Sequence, residues 1–251
     1  MNRIDYQQIA QWLRDAERAV VFTGAGISTE SGIPDFRSPG GIWTKFRTVY
    51  YDEFMASPDA RHEYWFQKAQ GHREFADAQP NAGHKAIAKW EGQGRVRGVI
   101  TQNIDGLHQL AGNQHVLELH GTAREIECQD CHERYDADSL VAEFLETDQV
   151  PKCQKCQRGR LKHATVSFGQ SLPTEVLERA VEWSQQADLF LAIGSSLVVT
   201  PAADLPVIAQ RSGSRLVIVN RDPTPLDELA DALVPGSIGE ALGQIDEHLA
   251  D

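Results

Sequence analysis

Ile9, Trp12, Leu13 and Ala16 recur at helical spacing, and the chain then enters AVVF, a short β-branched and aromatic run that ends at a glycine turn. This reads as helix, strand, loop. The same order recurs at RVRGVITQNIDG, HVLELHGT, ADLFLAIGSSL and SRLVIVNRDP. Each is a nearly continuous apolar run that breaks into polar and glycine residues at its C-terminal end, as parallel strands buried on both faces do. Helical stretches lie between several of them, around AGHKAIAKW, EVLERAVEWSQQA and AADLPVIAQ. The alternation predicts an α/β fold, a doubly wound, Rossmann-like parallel sheet with ligands at the carboxyl ends of its strands.

Two stretches break the alternation. Residues 36–78 are rich in aromatics, among them Trp43, Phe46, Tyr50, Tyr51, Phe54, Tyr64, Trp65 and Phe66, and read as a helical insertion with its own small core. Residues 121–163 are polar and hold every cysteine. Both leave the sheet at the ends where ligands bind. The expected division is therefore a Rossmann-like dinucleotide-binding domain from 1–35, 79–120 and 164–251. The 36–78 insertion and the 121–163 module form a smaller domain across a cleft.

Composition narrows the class. A chain of 251 residues with 41% hydrophobic content can bury a full core. The first 20 residues carry Arg3, Asp5, Arg14, Asp15, Glu17 and Arg18 without an apolar stretch, and no apolar run approaches the roughly 18 residues of a membrane span. A cytoplasmic, monomeric protein with no membrane partner is expected. The formal charge of −12 opposes nonspecific attraction to nucleic-acid phosphates and mildly favours basic, lysine-containing partners.

All four cysteines fall in two CxxC pairs, Cys128 with Cys131 and Cys153 with Cys156, separated by 21 residues. That spacing matches a four-thiolate zinc site in which each pair offers ligands on a tight knuckle. A redox pair needs only one CxxC, and disulfides belong to oxidising compartments. Four protein ligands leave no open position for water, so such a zinc is structural.

The strand-end loops collect polar groups. Gly24, Ala25, Gly26 and Ser28 follow the first strand, Gly194, Ser195 and Ser196 a later one, and both loops can present amides and hydroxyls to phosphate oxygens. Asn220 follows LVIV and can bond a ribose hydroxyl or a base edge. Taken singly, each is ordinary turn chemistry. TQNIDGLH places Gln102, Asn103 and Asp105 at one strand end, able to grip a carboxamide such as that of nicotinamide, and ELHGT places His120 at another. A histidine of near-neutral pKa suits proton removal from a sugar hydroxyl. Alone, His120 also reads as an ordinary strand-terminal residue and Asp105 as a helix cap.

The segment TGAGISTESGIPDFRS begins like a phosphate-binding turn, but Thr29 stands at the third glycine position and Pro34 interrupts any long helix. With TQNIDGLH, LELHG, the two CxxC pairs, FG before LP, and GSSL followed by PA, it resembles the sirtuin family of NAD-dependent protein lysine deacylases. The resemblance runs in order from residue 20 to about 242. It implies that the glycine turn holds the NAD phosphates and that SGIPDFR folds over the nicotinamide ribose as a mobile loop, with Asp35, Phe36 and Arg37 at the cofactor. Such a loop expels water and positions the sugar for attack. The resemblance further implies that an acetyl-lysine carbonyl oxygen attacks the ribose carbon bearing nicotinamide, giving an alkylimidate. His120 then acts as general base for a ribose hydroxyl, and water completes release of lysine and O-acetyl-ADP-ribose. Asn103 would order the ribose and a water, Ile104 and Asp105 would hold the carboxamide, and Ile238 would join the cofactor site. Val166, Phe168 and Gly169 would line the acyl-lysine tunnel and pair the substrate as an added strand.

Two departures stand out. Gln170 follows the FG motif where most of the family carries glutamate, which removes a charge near the peptide groove. Members preferring succinyl or malonyl groups carry tyrosine and arginine spaced YxxR, where an ungapped reading here finds Trp65 and Lys68. That pair lacks a bidentate fork for a carboxylate, which favours acetyl or longer apolar acyl groups. An ADP-ribosyltransferase or NAD hydrolase of the same fold is the alternative. Sirtuin-like transferases often lack the LHG histidine or the zinc cysteines, and the hydrolases usually belong to longer chains. A zinc-dependent adaptor accounts for the cysteines but not for His120, Asn103 and Asp105.

Overall fold

The structure is a computed structural model that describes residues 5–34, 46–158 and 160–250. Helix α1 (Tyr6–Asp15) opens at Asp5, whose carboxylate accepts the Gln8 amide at 2.9 Å, and it buries Ile9, Ala10 and Leu13 along one face. Strand β1 (Ala19–Thr23) is buried at every position, and a 3-10 helix follows at Ala25–Ser31. Then come α2 (Tyr51–Ala56), α3 (Pro58–Ala76), α4 (Ala82–Gly92), β2 (Val96–Thr101), α5 (Leu107–Ala111) and β3 (Val116–Glu118). Strands β4 (Gly121–Cys128) and β5 (Arg134–Asp136), helix α6 (Ala137–Thr147) and strand β6 (Leu161–Thr165) lie next along the chain. Helix α7 (Thr174–Gln186), β7 (Leu189–Ile193), α8 (Asp204–Arg211), β8 (Arg215–Val219), β9 (Ala232–Val234) and α9 (Ile238–Ala250) complete it.

The larger sheet has six strands in the order β3-β2-β1-β7-β8-β9, parallel throughout. The chain starts in the middle, works outward to β3, then returns to the other side of β1 at β7. This reversal makes β1 and β7 the switch point at which an open α/β sheet forms its ligand crevice. One face packs Ile9, Leu13, Ile87, Trp90, Leu242 and Ile245 from α1, α4 and α9. Ala180, Trp183, Leu205 and Ala209 from α7 and α8 cover the other. Burial on both faces is why the strands read as unbroken apolar runs.

A second, antiparallel sheet orders β5-β4-β6. Its Ile126 and Leu161 share a core with Phe54, Tyr64 and Trp65 of α2 and α3 and with Val141 and Phe144 of α6. Residues from the aromatic stretch and from the cysteine-bearing stretch thus occupy one core. Strand β6 continues to Thr165, two residues beyond the 163/164 boundary expected from the sequence.

Candidate active site

At the switch point the backbones touch. The Gly24 amide donates to Ile193 O at 3.1 Å and the Gly26 amide to Gly194 O at 2.8 Å. A Cβ on Gly24 would lie 2.8 Å from Gly194 O, and one on Gly26 would lie 2.8 Å from Gly194 Cα. Gly194 itself sits at φ 65, where side chains are strained, and Ile238 of α9 packs over it. These glycines let two strand ends approach so closely that a cofactor can meet backbone on both sides. The Gly24 and Gly26 amides expected to face phosphate are thus engaged across the strand ends.

The 3-10 helix is tied down from behind. Asn81, which caps α4 by accepting the Gly83 and His84 amides, donates through Nδ2 to Ile27 O at 2.7 Å and to Ser31 Oγ at 3.0 Å. Glu30 accepts from Ser237 Oγ and Gly239 N at the start of α9. The loop after β1 is held by two helix starts.

Inside the crevice a directed hydrogen-bond chain runs through buried groups. Asn103 Nδ2 donates to Gly24 O and to Ser28 Oγ, both at 3.1 Å, and Ser28 Oγ donates to Asp105 Oδ2 at 2.6 Å. Asp105 Oδ1 accepts the amide of Leu107, the first residue of α5, at 2.9 Å, with Gly106 at the N-cap between them. Gln102 Nε2 reaches Ser195 Oγ at 2.9 Å, linking the ends of β2 and β7. Ser196 is exposed beside it, Ala25 and Ile104 are half-buried, and Asn220 bonds Asp222 O through Nδ2 at 2.7 Å at the end of β8. Asp35, Phe36 and Arg37 lie outside the described residues.

His120 is half-buried, and its Nδ1 lies 2.9 Å from Gln102 O. A carbonyl only accepts, so Nδ1 carries the proton and Nε2 carries the lone pair. Burial holds its pKa below the ordinary 6.5, with the Gln102 carbonyl opposing. The imidazole is therefore neutral at neutral pH, as a base must be. His120 O accepts the Val166 amide at 2.8 Å, so the segment leaving β6 runs directly beside it. That segment turns at Gly169, φ 82, with Ser167 and Gln170 closing the turn through the Gln170 amide and its side-chain Oε1. A glutamine makes this closure without the usual charge. Phe168 is exposed, with its ring centroid 6.1 Å from that of Tyr50.

Behind Asn103 lie groups the sequence did not single out. His108 Nε2 is 2.9 Å from Thr23 Oγ1, which donates to Thr101 Oγ1 at 2.8 Å, and Thr101 Oγ1 accepts the Asn103 amide at 3.0 Å. Thr23 gives its one proton to Thr101, so His108 must donate from Nε2. TQNIDGLH contained both Thr101 and His108, but nothing in a string tells which side chains point inward.

The four thiols gather as their spacing predicts, all within 4.8 Å of one another. Cys128 Sγ and Cys156 Sγ are 3.6 Å apart and Cys131 Sγ and Cys153 Sγ 3.7 Å. A tetrahedron with zinc–sulfur bonds of about 2.3 Å has edges of about 3.8 Å, whereas a disulfide needs about 2.05 Å. Each pair closes alike: His132 N bonds Cys128 O and Gln157 N bonds Cys153 O, both at 2.9 Å, with His132 and Gln157 at positive φ. These twin knuckles fit one zinc ion.

A neutral histidine base beside a switch-point crevice, with a buried amide and carboxylate next to it, is the equipment of an enzyme that works on a dinucleotide. The class is set by that combination. The Sir2 family model matches residues 24–201, and the chain belongs to this family, the sirtuins. A Rhodopseudomonas palustris protein named NAD-dependent protein deacetylase is 48% identical over 239 residues, covering 94% of each chain. An Archaeoglobus fulgidus protein named NAD-dependent protein deacylase 2 is 42% identical over 248 residues, covering 98% of this chain and 96% of its own. A solved structure described as Sir2-p53 peptide-NAD+ superposes with a TM-score of 0.89 at 38% identity, covering 97% of this chain and 98% of its own.

Proposed function

We propose that this protein is an NAD-dependent protein lysine deacylase, and the observation that carries the reading is the tautomer of His120, its Nδ1–H fixed on Gln102 O and its Nε2 left as a base. The bound dinucleotide supplies a ribose carbon activated by its cationic nicotinamide leaving group. Acyl-lysine, NAD and water are consumed, and nicotinamide, lysine and O-acyl-ADP-ribose are formed. His120 takes the proton of the ribose hydroxyl that accepts the acyl group. Asp105, with its carboxylate held by Ser28 and its backbone beside Ile104, holds the carboxamide, and Asn103 orders the ribose and a water. Gly24, Ala25, Gly26, Gly194, Ser195, Ser196, Asn220 and Ile238 complete the cofactor cradle with Asp35, Phe36 and Arg37.

Val166, Phe168 and Gly169 receive an acyl-lysine-bearing protein as an added strand, with Phe168 and Gly169 exposed at the turn. The large unit comprises 1–35, 79–120 and 164–251, with 36–78 and the zinc-holding 121–163 as the small one. No helix among the described residues is long and apolar enough to cross a membrane. We place the enzyme in the cytoplasm as a monomer without nucleic-acid partners. Acetyl or apolar acyl groups are preferred. Trp65 is fully buried and donates its indole N–H to Leu161 O at 2.8 Å. Lys68 lies 5.6 Å from the Tyr64 ring centroid, and burial holds its pKa down, toward a neutral amine.

The test is incubation with NAD and an acetyl-lysine peptide, followed by mass spectrometry, with His120→Ala alongside. Loss of acetyl with O-acetyl-ADP-ribose formed only in the presence of His120 is the expected result. Nicotinamide release from an unchanged peptide would instead move transfer or hydrolysis of NAD ahead, and faster turnover of a succinyl peptide would overturn the acyl preference.

A further inference from the structure

Strand β4 does not run evenly along β6. Gly121 pairs with Thr165 and Ile126 with His163, with a register break between them, so residues 122–125 bulge out of the ladder. The bulge is directed at the crevice. The Ala123 amide donates to Ile104 O at 2.8 Å, and Arg124 Nε donates to Asp105 O at 2.7 Å. Arg124 Nη2 also reaches Phe75 O, at 3.4 Å, in the last turn of α3, where a cation meets the negative end of the helix. Phe75 in turn packs with Ile33, Ala78 and Leu107.

Room for this arginine is built into the loop. Gly106 has φ 70, and a Cβ there would stand 2.6 Å from Arg124 Nε and 2.7 Å from its Cδ. Arg124 takes part in no ion pair among the described residues, so backbone carbonyls are what its guanidinium serves. The Ile104–Gly106 segment is thus clamped twice: Ser28, in the 3-10 helix after β1, holds the Asp105 side chain, and Arg124 of the small sheet holds its backbone.

We propose that Arg124 is a positioning residue for the nicotinamide end of the cofactor, passing the placement of the small sheet on to Asp105. The inference rests on the reading that Ile104 and Asp105 hold the carboxamide. When the small unit shifts, the Arg124 bond moves the Asp105 backbone with it. The acyl-lysine segment at Val166–Gly169 is held by His120 O and by the Tyr51 amide on Phe168 O, outside this clamp.

Arg124→Met keeps the aliphatic stem and removes the donors, and Arg124→Lys restores one charged donor. For Arg124→Met the expected result is a rise of about tenfold in the KM for NAD and in the nicotinamide concentration that half-inhibits, the size of one lost charge-assisted bond. The acyl-peptide KM stays within about twofold and Arg124→Lys falls between. An unchanged KM for NAD, or NAD and peptide constants rising together with a falling melting temperature, overturns the proposal. Asp105→Asn separates the two levels. If it abolishes nicotinamide exchange while Arg124→Met does nothing, only the positioning role fails. If exchange survives Asp105→Asn, the carboxamide reading fails, and the positioning role with it.

Discussion

Ser28 and Asp105, 77 residues apart in sequence, share a 2.6 Å hydrogen bond from the serine hydroxyl to the carboxylate. Both are buried, so neither has water to fall back on. Ser28→Ala should leave an unpaired buried carboxylate oxygen, costing about 1–3 kcal/mol, and should lower kcat/KM for NAD. A double-mutant cycle with Asp105→Asn measures the coupling. Additive effects on kcat/KM would show that the two do not act as a unit.

Deacylation should lose rate as pH falls, and the loss should begin below 6.5. Burial depresses the His120 pKa, so the neutral base persists to lower pH than a free imidazole allows. The pH profile of kcat/KM for NAD checks this. An acid limb centred above 6.5 would mean another group limits the rate.

His84 and His108 meet edge-on with ring centroids 4.9 Å apart, and among the described residues neither His84 ring nitrogen has a hydrogen-bond partner. Burial lowers His84 to about 4 against the opposing charges of Asp105 and Glu30. Burial, joined by the charge of His84, lowers His108 to about 3, with Asn113 opposing. Between these values and 6.5 the unfolded chain binds protons that the folded chain refuses, so stability is whole above 6.5 and falls with pH below it. The slope approaches about 1.4 kcal/mol per pH unit for each histidine. Glu118, pushed up to about 7 chiefly by burial, acts in the opposite sense. His84→Phe, which breaks no hydrogen bond, should therefore flatten the decline in urea-denaturation free energy between pH 6.5 and 4. An unchanged slope would remove His84 from the account.

Removing zinc should unfold the small sheet while sparing the large one. The thiols sit in the core that joins α3, α6 and β6, and structural zinc contributes on the order of 10 kcal/mol to modules of this kind. Metal analysis should find one zinc per chain. After chelation, proteolysis should cut within 121–163 first. Resistance there without metal would make the knuckles self-sufficient.

Much of this was readable in the string. Strands β1, β2, β7 and β8 announce themselves because burial on both faces demands unbroken apolar runs ending in glycine or polar residues. The CxxC knuckles and His120 are local signals too. Strand β9 has three residues at a sheet edge, too few to show a period. Helix α6 hides in a stretch that reads as polar, although Asp136 caps it. The 3-10 segment Ala25–Ser31 is held by Asn81, Ser237 and Gly239, partners that lie far off in sequence. Arg124 gave no signal, because its role depends on a register break that only pairing reveals.

The contact of Gly24 and Gly26 with Gly194 also bears on how such an enzyme can diversify. Those strand ends have no room for even one more carbon, so drift there ends in loss of the fold's crevice. Tyr64 and Lys68 of α3 and Thr165 of β6 meet instead through side chains, the Tyr64 hydroxyl 3.5 Å from Thr165 Oγ1 and Lys68 Nζ 5.6 Å from the Tyr64 ring centroid. A library of variants should therefore hold Gly24, Gly26 and Gly194 fixed and spend its diversity where side chains, not backbones, make the contact.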